Sequence, residues 1–176
     1  MATVRVQAEP FDTGAELALL LDGRTNIGGI GCFLGVVRGT AHGQPITAMT
    51  LEHYPAMTAK ALGGIALEAE ARWQLLGCTV IHRWGRLLPG EPIVLVLAAS
   101  PHRDAALAAT AFLIDWLKTR APFWKHEELG DGTAQWVNPR ETDQQAAARW
   151  SQPELSSLSR AIVPCPSGIN DQEQTT

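Results

Sequence analysis

A chain of 176 residues is long enough to bury a proper core and fits a single domain. Its net charge of −4 argues against a general nucleic-acid binder, which would be basic, while leaving room for a local basic pocket. The three cysteines (Cys32, Cys78 and Cys165) lack zinc or redox spacing, and neither a membrane span nor a basic-then-apolar leader is present, so a cytoplasmic protein is expected.

Taken in order, Val4 to Ala8 alternates as a short strand. Thr13-Gly14-Ala15-Glu16 has the form of a capping box and opens a short apolar helix to about Leu21. Gly23 to Gly31 reads as loop, with Gly28-Gly29-Ile30-Gly31 a weak glycine cluster. Cys32 to Val37 reads as a strand ending at Arg38-Gly39, and Thr40 to Pro45 as a loop. Ile46 to Tyr54 alternates like a half-buried strand. Met57 to Leu76 is the first long helix, with Met57, Ala61, Ile65, Ala69, Trp73 and Leu76 as its apolar stripe and Gly63-Gly64 weakening it. Thr79 to Trp84 and Pro92 to Ala99 are strands joined through a turn at Leu88-Pro89-Gly90-Glu91. The second is apolar on both faces and belongs in the middle of a sheet.

Ser100-Pro101 reads as a helix start, with Ser100 as cap and Pro101 in the first position. Ala106, Ala109, Thr110, Leu113 and Leu117 give the helix one buried face, and Pro122 stops it near Arg120. A strand from Phe123 to about Leu129, a turn at Gly130-Asp131-Gly132 and a short strand through Gln135-Trp136-Val137 follow. Asp143 to Trp150 closes the domain as a last helix. Residues 1–150 are thus one α+β domain with two long helices, and the polar, proline-containing stretch 151–176 is expected to be a flexible tail.

Several basic residues could do chemistry. Arg38 at a strand end is either a solvated arginine or an anion clamp, with Gly39 allowing a ligand close to the backbone. His102 and Arg103 occupy the first turn of a helix, where free N–H groups welcome an anion and a cation is unfavourable for the helix itself. That conflict points to function, although two exposed residues tolerated at small cost would look the same. Lys118 lies roughly 120° around the helix from Ala106, so it flanks the core, as a solvated lysine also would. Lys125, between Trp124 and His126, is placed where partial burial would ease release of its proton, fitting it for general acid or base work; the plain alternative is a surface lysine.

His102 and Lys118 are separated by about 24 Å along a straight helix, too far to meet around one small ligand within one chain. Either they serve different sites, or a symmetric dimer brings one chain's helix start to the other's helix end, which is the expectation adopted. No phosphate loop, GxGxxG, GxSxG or HExxH motif is present, and no metal or cofactor is expected.

The blocks Phe33-Leu34-Gly35-Val36-Val37-Arg38, Leu51-Glu52-His53-Tyr54, Ile81-His82-Arg83-Trp84-Gly85, Ser100-Pro101-His102-Arg103 and Leu117-Lys118-Thr119-Arg120-Ala121-Pro122-Phe123-Trp124-Lys125 occur in this order. Together with Asp143-Gln144-Gln145-Ala146-Ala147, they resemble the large, catalytic subunit of molybdopterin synthase, from the N-terminal strand to about Trp150. The resemblance implies an α/β hammerhead-type fold with a mostly antiparallel sheet. It also implies a homodimer that binds a small ubiquitin-like sulfur-carrier subunit on each protomer, making a heterotetramer. The carrier's C-terminal Gly-Gly thiocarboxylate would sulfurate cyclic pyranopterin monophosphate twice, giving the dithiolene of molybdopterin. Carried over, Lys118 and Lys125 would be catalytic. Arg38, His102 and Arg103 would hold the phosphate, with Val36, Val37, His126 and Glu127 lining the site and Phe33 and Arg140 as further candidates. His126 departs from relatives that carry a second Lys or Arg there. A pocket of Arg38, Arg103, Lys118 and Lys125 suits an anionic pterin and an anionic thiocarboxylate. The rival readings are a non-catalytic scaffold for a ubiquitin-like carrier, and a phosphate-ligand enzyme of another kind on the same fold.

Overall fold

The computed structural model describes residues 2–41, 43–137 and 141–151. Arg140 and the expected tail after Ser151 lie outside the described residues. In chain order the elements are β1 (Ala2–Gln7), α1 (Thr13–Leu21), β2 (Gly29–Val36), β3 (Thr40–Ala41), β4 (Gln44–His53), α2 (Pro55–Trp73) and β5 (Gly77–Arg83). There follow β6 (Gly85–Leu87), β7 (Pro92–Ser100), α3 (Arg103–Thr119), β8 (Phe123–Leu129), β9 (Ala134–Val137), α4 (Glu141–Ala148) and a 3₁₀ turn over Arg149–Ser151.

The strands form two sheets. The first has the order β1-β5-β7-β2, with β1 parallel to β5 and the other pairs antiparallel. The second runs β3-β4-β8-β9, and β6 adds to β4. This is the expected α+β arrangement, mostly antiparallel, with β7 inside the first sheet as its two-sided apolar pattern requires.

Successive residues of a strand point to opposite faces, and the core divides accordingly. Val80, Val96 and Ala98 face α2 and α3, where Leu62, Ala66, Phe112 and Leu113 meet them. Ile81, Leu95 and Leu97 face the other way, onto Leu20 of α1. A third cluster, Val37, Met49, Leu51 and Leu87, joins the second sheet to the first. Phe112 is fully buried and meets Trp73, Trp116 and Trp150 edge-on. Burying such a ring contributes about 2–3 kcal/mol. The same contacts dock α4, whose trailing Trp150 donates its ring N–H to Asp115 of α3 at 2.7 Å.

Five local expectations are corrected. The cap of α1 is Asp12, not Thr13: its Oδ1 accepts from the N–H groups of Gly14 at 2.7 Å and Ala15 at 3.1 Å, while Glu16 pairs with Arg5. The buried stripe of α2 is Thr58, Leu62, Ile65, Ala66 and Ala69, and Met57 is exposed. A strict every-fourth-residue row winds around a 3.6-residue helix, so a straight contact face must alternate steps of three and four. Ser100 ends β7 instead of capping α3; it is buried, and its hydroxyl accepts from the N–H of His102, which is the N-cap residue. Lastly, Gly29 to Gly31 belong to β2, and part of the 40–45 loop is a tight hairpin between β3 and β4.

The glycine cluster is what seats α3. A Cβ on Gly31 would stand 2.2 Å from the Thr110 hydroxyl and 2.5 Å from the Ala106 carbonyl, and one on Gly28 would stand 2.0 Å from the Pro101 carbonyl oxygen. Only glycine admits the helix and its lead-in this close to β2.

Candidate active site

The long axis of α3 sets the layout. Arg103 lies against Gly29 at one end of β2, since a Cβ there would be 3.6 Å from the Arg103 Cα, while Thr110 lies over Gly31. The helix therefore runs along β2 towards Val36. Past its end, Phe123 of β8 stacks on His82 at 3.8 Å and packs against the Val37 cluster. The end of β2, the end of α3 and the start of β8 thus share one end of the molecule, and His102 and Arg103 occupy the other.

Lys125 and Glu127 lie two apart on β8 and so point to the same face, the one turned to the core. Glu127 is 2% exposed, and its Oε1 holds the Lys125 ammonium at 2.6 Å. A buried carboxylate is tolerated only when paired, so this contact fixes the lysine head as firmly as it satisfies the acid. His126, between them, points to the opposite face, where its ring lies 5.0 Å from that of Trp136. The structure thus turns His126 away from the Lys125 ammonium, although the two residues are adjacent in sequence.

Lys118 sits in the last turn of α3, where a cation suits the helix dipole, and its Nζ is 3.4 Å from Asp143 of α4. Arg38 is exposed directly after Val37, whose side chain is 2% exposed. The Val37 N–H donates to the Glu91 carbonyl at 2.9 Å, and its carbonyl accepts from the Gly90 N–H at 2.8 Å. Val37 is therefore occupied by its own turn and acts as the footing of Arg38, whereas Val36 is half open to solvent. Phe33 is half-buried against the helix-side core.

His102 and Arg103 begin α3 with no side-chain cap. The Arg103 side chain is 88% exposed, with Asp104 beside it at 3.6 Å. One chain thus gathers Arg38, Lys118 and Lys125 at one end and leaves His102 and Arg103 a helix length away.

Residues outside the expected set support this end. Arg83 is 6% exposed; it donates to the Ala8 carbonyl at 3.1 Å and the Pro92 carbonyl at 3.0 Å, beside Glu91 at 3.9 Å. Glu91 in turn accepts from the Leu88 N–H at 2.8 Å, shaping the turn that grips Val37. The legible signal was an arginine in a strand otherwise buried along its length. Burial lowers the His82 pKa from 6.5 to about 4, against the smaller opposing effect of its hydrogen bond to the Arg83 carbonyl. Neutral His82 offers Phe123 a flat uncharged partner. An open groove of about 280 Å³ borders the start of β8, lined by Glu52, His53, Tyr54, Trp124 and Trp136, without a lysine or arginine. Among the described residues no group of three or more His, Cys, Asp or Glu could hold a metal ion, and no helix is long and apolar enough to cross a membrane.

The profile of the MoaE protein family matches residues 6–120. The chain belongs to the MoaE family. A family relative from Ralstonia nicotianae, named molybdopterin synthase catalytic subunit, is 47% identical over 174 residues, covering 99% of this chain and 97% of the relative. Among solved MoaE structures, the molybdopterin biosynthesis MoaE protein of Burkholderia ambifaria superposes with a TM-score of 0.73 at 47% identity, covering 87% of this chain and 100% of that one. Molybdopterin synthase from Staphylococcus aureus gives a TM-score of 0.69 at 28% identity, covering 76% of this chain and 95% of that one.

Proposed function

We propose that this MoaE-family chain is the catalytic subunit of a molybdopterin synthase. It is a sulfurtransferase that converts cyclic pyranopterin monophosphate to molybdopterin, in molybdenum cofactor biosynthesis. The sulfurs come from the C-terminal thiocarboxylate of a small ubiquitin-like carrier, one bound to each protomer of a homodimer in a heterotetramer. Residues 1–150 carry the activity, 151–176 form a tail outside it, and the protein works in the cytoplasm.

The observation that carries the reading is the pairing of Lys125 with buried Glu127 at the end of the molecule that also holds Lys118 and Arg38. A lysine gripped in this way is preorganised, so little ordering is left to be done when substrate arrives. Lys125 and Lys118 serve in acid–base and electrostatic roles as the thiocarboxylate attacks and the cyclic phosphate opens. Arg38 binds the phosphate with His102 and Arg103, and Val36, Val37, Glu127 and Phe33 shape the walls. His126 and Arg140 line the approach. Because one chain holds the two basic groups apart, the phosphate site is completed by the second protomer.

The test is a single-turnover reaction of purified chain, thiocarboxylated carrier and pterin precursor, with dithiolene formation as readout. Wild-type chain should form product, and Lys125→Ala should bind carrier without turnover. Carrier binding with no product from the wild type would establish the scaffold reading instead.

A further inference from the structure

The two faces of β8 differ. Phe123, Lys125 and Glu127 turn inward, where Phe123 meets the cluster of Val37, Met49, Leu51 and Leu87. The alternate residues turn outward, and strand register groups them with their neighbours. Glu52 of β4 stands opposite Trp124, and His126 stands opposite both Thr50 and Trp136. Tyr54, just past β4, meets Trp124 edge-on at 5.0 Å. With His53, these residues line the open groove of about 280 Å³, and Tyr54, Trp124 and Trp136 are all exposed.

The face of an indole or phenol ring is electron-rich, so three rings and a carboxylate together select a cation. Glu52 has no ion-pair partner among the described residues. Arg86, beside Thr50 on the next row of the sheet, is committed to Glu128 through bonds of 3.1 and 2.9 Å. The chain itself shows what completes such a set elsewhere. Where Glu68 and Trp116 stand together, Arg120 lies 3.3 Å from the ring centre and 3.8 Å from the acid. Where Asp115 and Trp150 stand together, Arg149 lies 4.5 Å from the ring centre and 2.6 Å from the acid. The groove offers the same acid and rings, and none of its lining residues is a lysine or arginine.

We propose that this groove takes an arginine side chain from a partner protein, at a site separate from the sulfur-transfer pocket. A guanidinium stacks flat on tryptophan and forks two N–H groups to a carboxylate, which a compact ammonium does not do. The occupant is a side chain and not a free small cation because the groove is open. Rings this exposed remove little water from one guanidinium, so the polypeptide that carries it must supply further contacts. Exposed tryptophan and tyrosine around one charged group is also the composition of a protein interface centre. Lys125 and Glu127 turn to the other face of β8, which leaves the groove free while a carrier's C-terminus occupies theirs.

Fluorine NMR of the full chain labelled with 5-fluorotryptophan, with and without bound carrier, tests the groove. Trp124→Phe and Trp136→Phe assign the two signals. The probe is acetyl-Thr-Arg-Thr-amide, set against the same peptide with neutral citrulline in place of arginine. The arginine peptide should shift both signals at millimolar concentration, equally with and without carrier, and the citrulline peptide should bind about tenfold more weakly. Glu52→Gln, at an exposed position, should keep the thermal midpoint and weaken the arginine peptide about fivefold. Equal binding of the two peptides, or no effect of Glu52→Gln, would overturn the proposal. Agmatine, a free guanidinium, should bind more weakly than the peptide; equal affinity would make this a small-ligand site and overturn the assignment to a protein. Tighter probe binding by Arg140→Ala would show the chain's own arginine filling the groove, and probe displacement by carrier would give the groove to the carrier. Either result would defeat a separate partner site.

Discussion

The two ends of α3 carry basic residues in different settings. At the C-terminal end each lysine has a carboxylate: Lys125 has buried Glu127, and Lys118 has Asp143 on a helix clasped to α3 through Asp115. At the N-terminal end His102 and Arg103 stand in solvent on a helix start without a side-chain cap. The first set is positioned by its own chain, at the cost of burying an acid. The second has a well-fixed backbone and exposed side chains, the condition of a group whose partner is another molecule. The difference teaches that charge alone does not mark a finished site; fixed orientation does.

The largest effect should come from the finished end. Removing Lys125 should lower the single-turnover rate of dithiolene formation by about 10²–10⁴-fold, the range for loss of an acid–base group. Lys125→Ala alone also leaves Glu127 buried and unpaired, which costs stability. The Lys125→Met/Glu127→Gln pair removes both charges and should restore the thermal midpoint without restoring turnover. Recovery of activity in the pair would show that Lys125 serves only to neutralise Glu127.

A second effect belongs to the same end and reads out in stability. His82 is held neutral in the fold, with its pKa lowered to about 4 from 6.5. The unfolded chain therefore binds more protons than the native one between these values, and stability rises with pH across that window. It is complete above about pH 6.5 and declines by about 3 kcal/mol on acidification towards pH 4. Urea unfolding at pH 4.5 and 7 should show the slope, and His82→Gln should flatten it. An equal slope in the variant would move the effect to other groups.

How much of this was legible in the sequence follows the range of the forces involved. The two-sided apolar run of β7, the proline stop after α3 and the alternation of β4 are local patterns, and they placed those elements within a few residues. The basic residues were legible as types, from helix-terminus chemistry and from family resemblance. Their partners were not. That Glu127 would be buried under Lys125 while His126 turned away depends on which face of β8 meets the core, and short-range pattern does not fix that choice. The Asp12 cap was missed because Thr13 to Glu16 offers a competing box one residue later. Gly28 and Gly31 read as loop residues because a lone chain gives no sign that a helix lies against them.

The glycines give a third, smaller way to test the contrast. Gly31→Ala puts a methyl group against the Thr110 hydroxyl and the Ala106 carbonyl, so α3 must lift from β2. The expected loss is about 1–3 kcal/mol, as for overpacking elsewhere. The fixed backbone beneath His102 and Arg103 would shift with it, so affinity for the precursor should weaken too. Gly63→Ala, where nothing lies within 4 Å of the new methyl group, is the control and should be neutral or slightly stabilising.

The smallest effect is expected at the open end. Arg103 is 88% exposed and its contact with Asp104, at 3.6 Å, lies at the surface, so Arg103→Ala should leave the melting temperature where it is. Its contribution appears only with substrate bound: KM for the pterin precursor should rise about tenfold while kcat changes little, the pattern of lost uniform binding. The substitution therefore separates the two ends by the type of parameter affected. Loss of kcat with KM unchanged would mean that Arg103 acts on the transition state, and the contrast between a prepared end and a phosphate-gripping end would no longer describe the site.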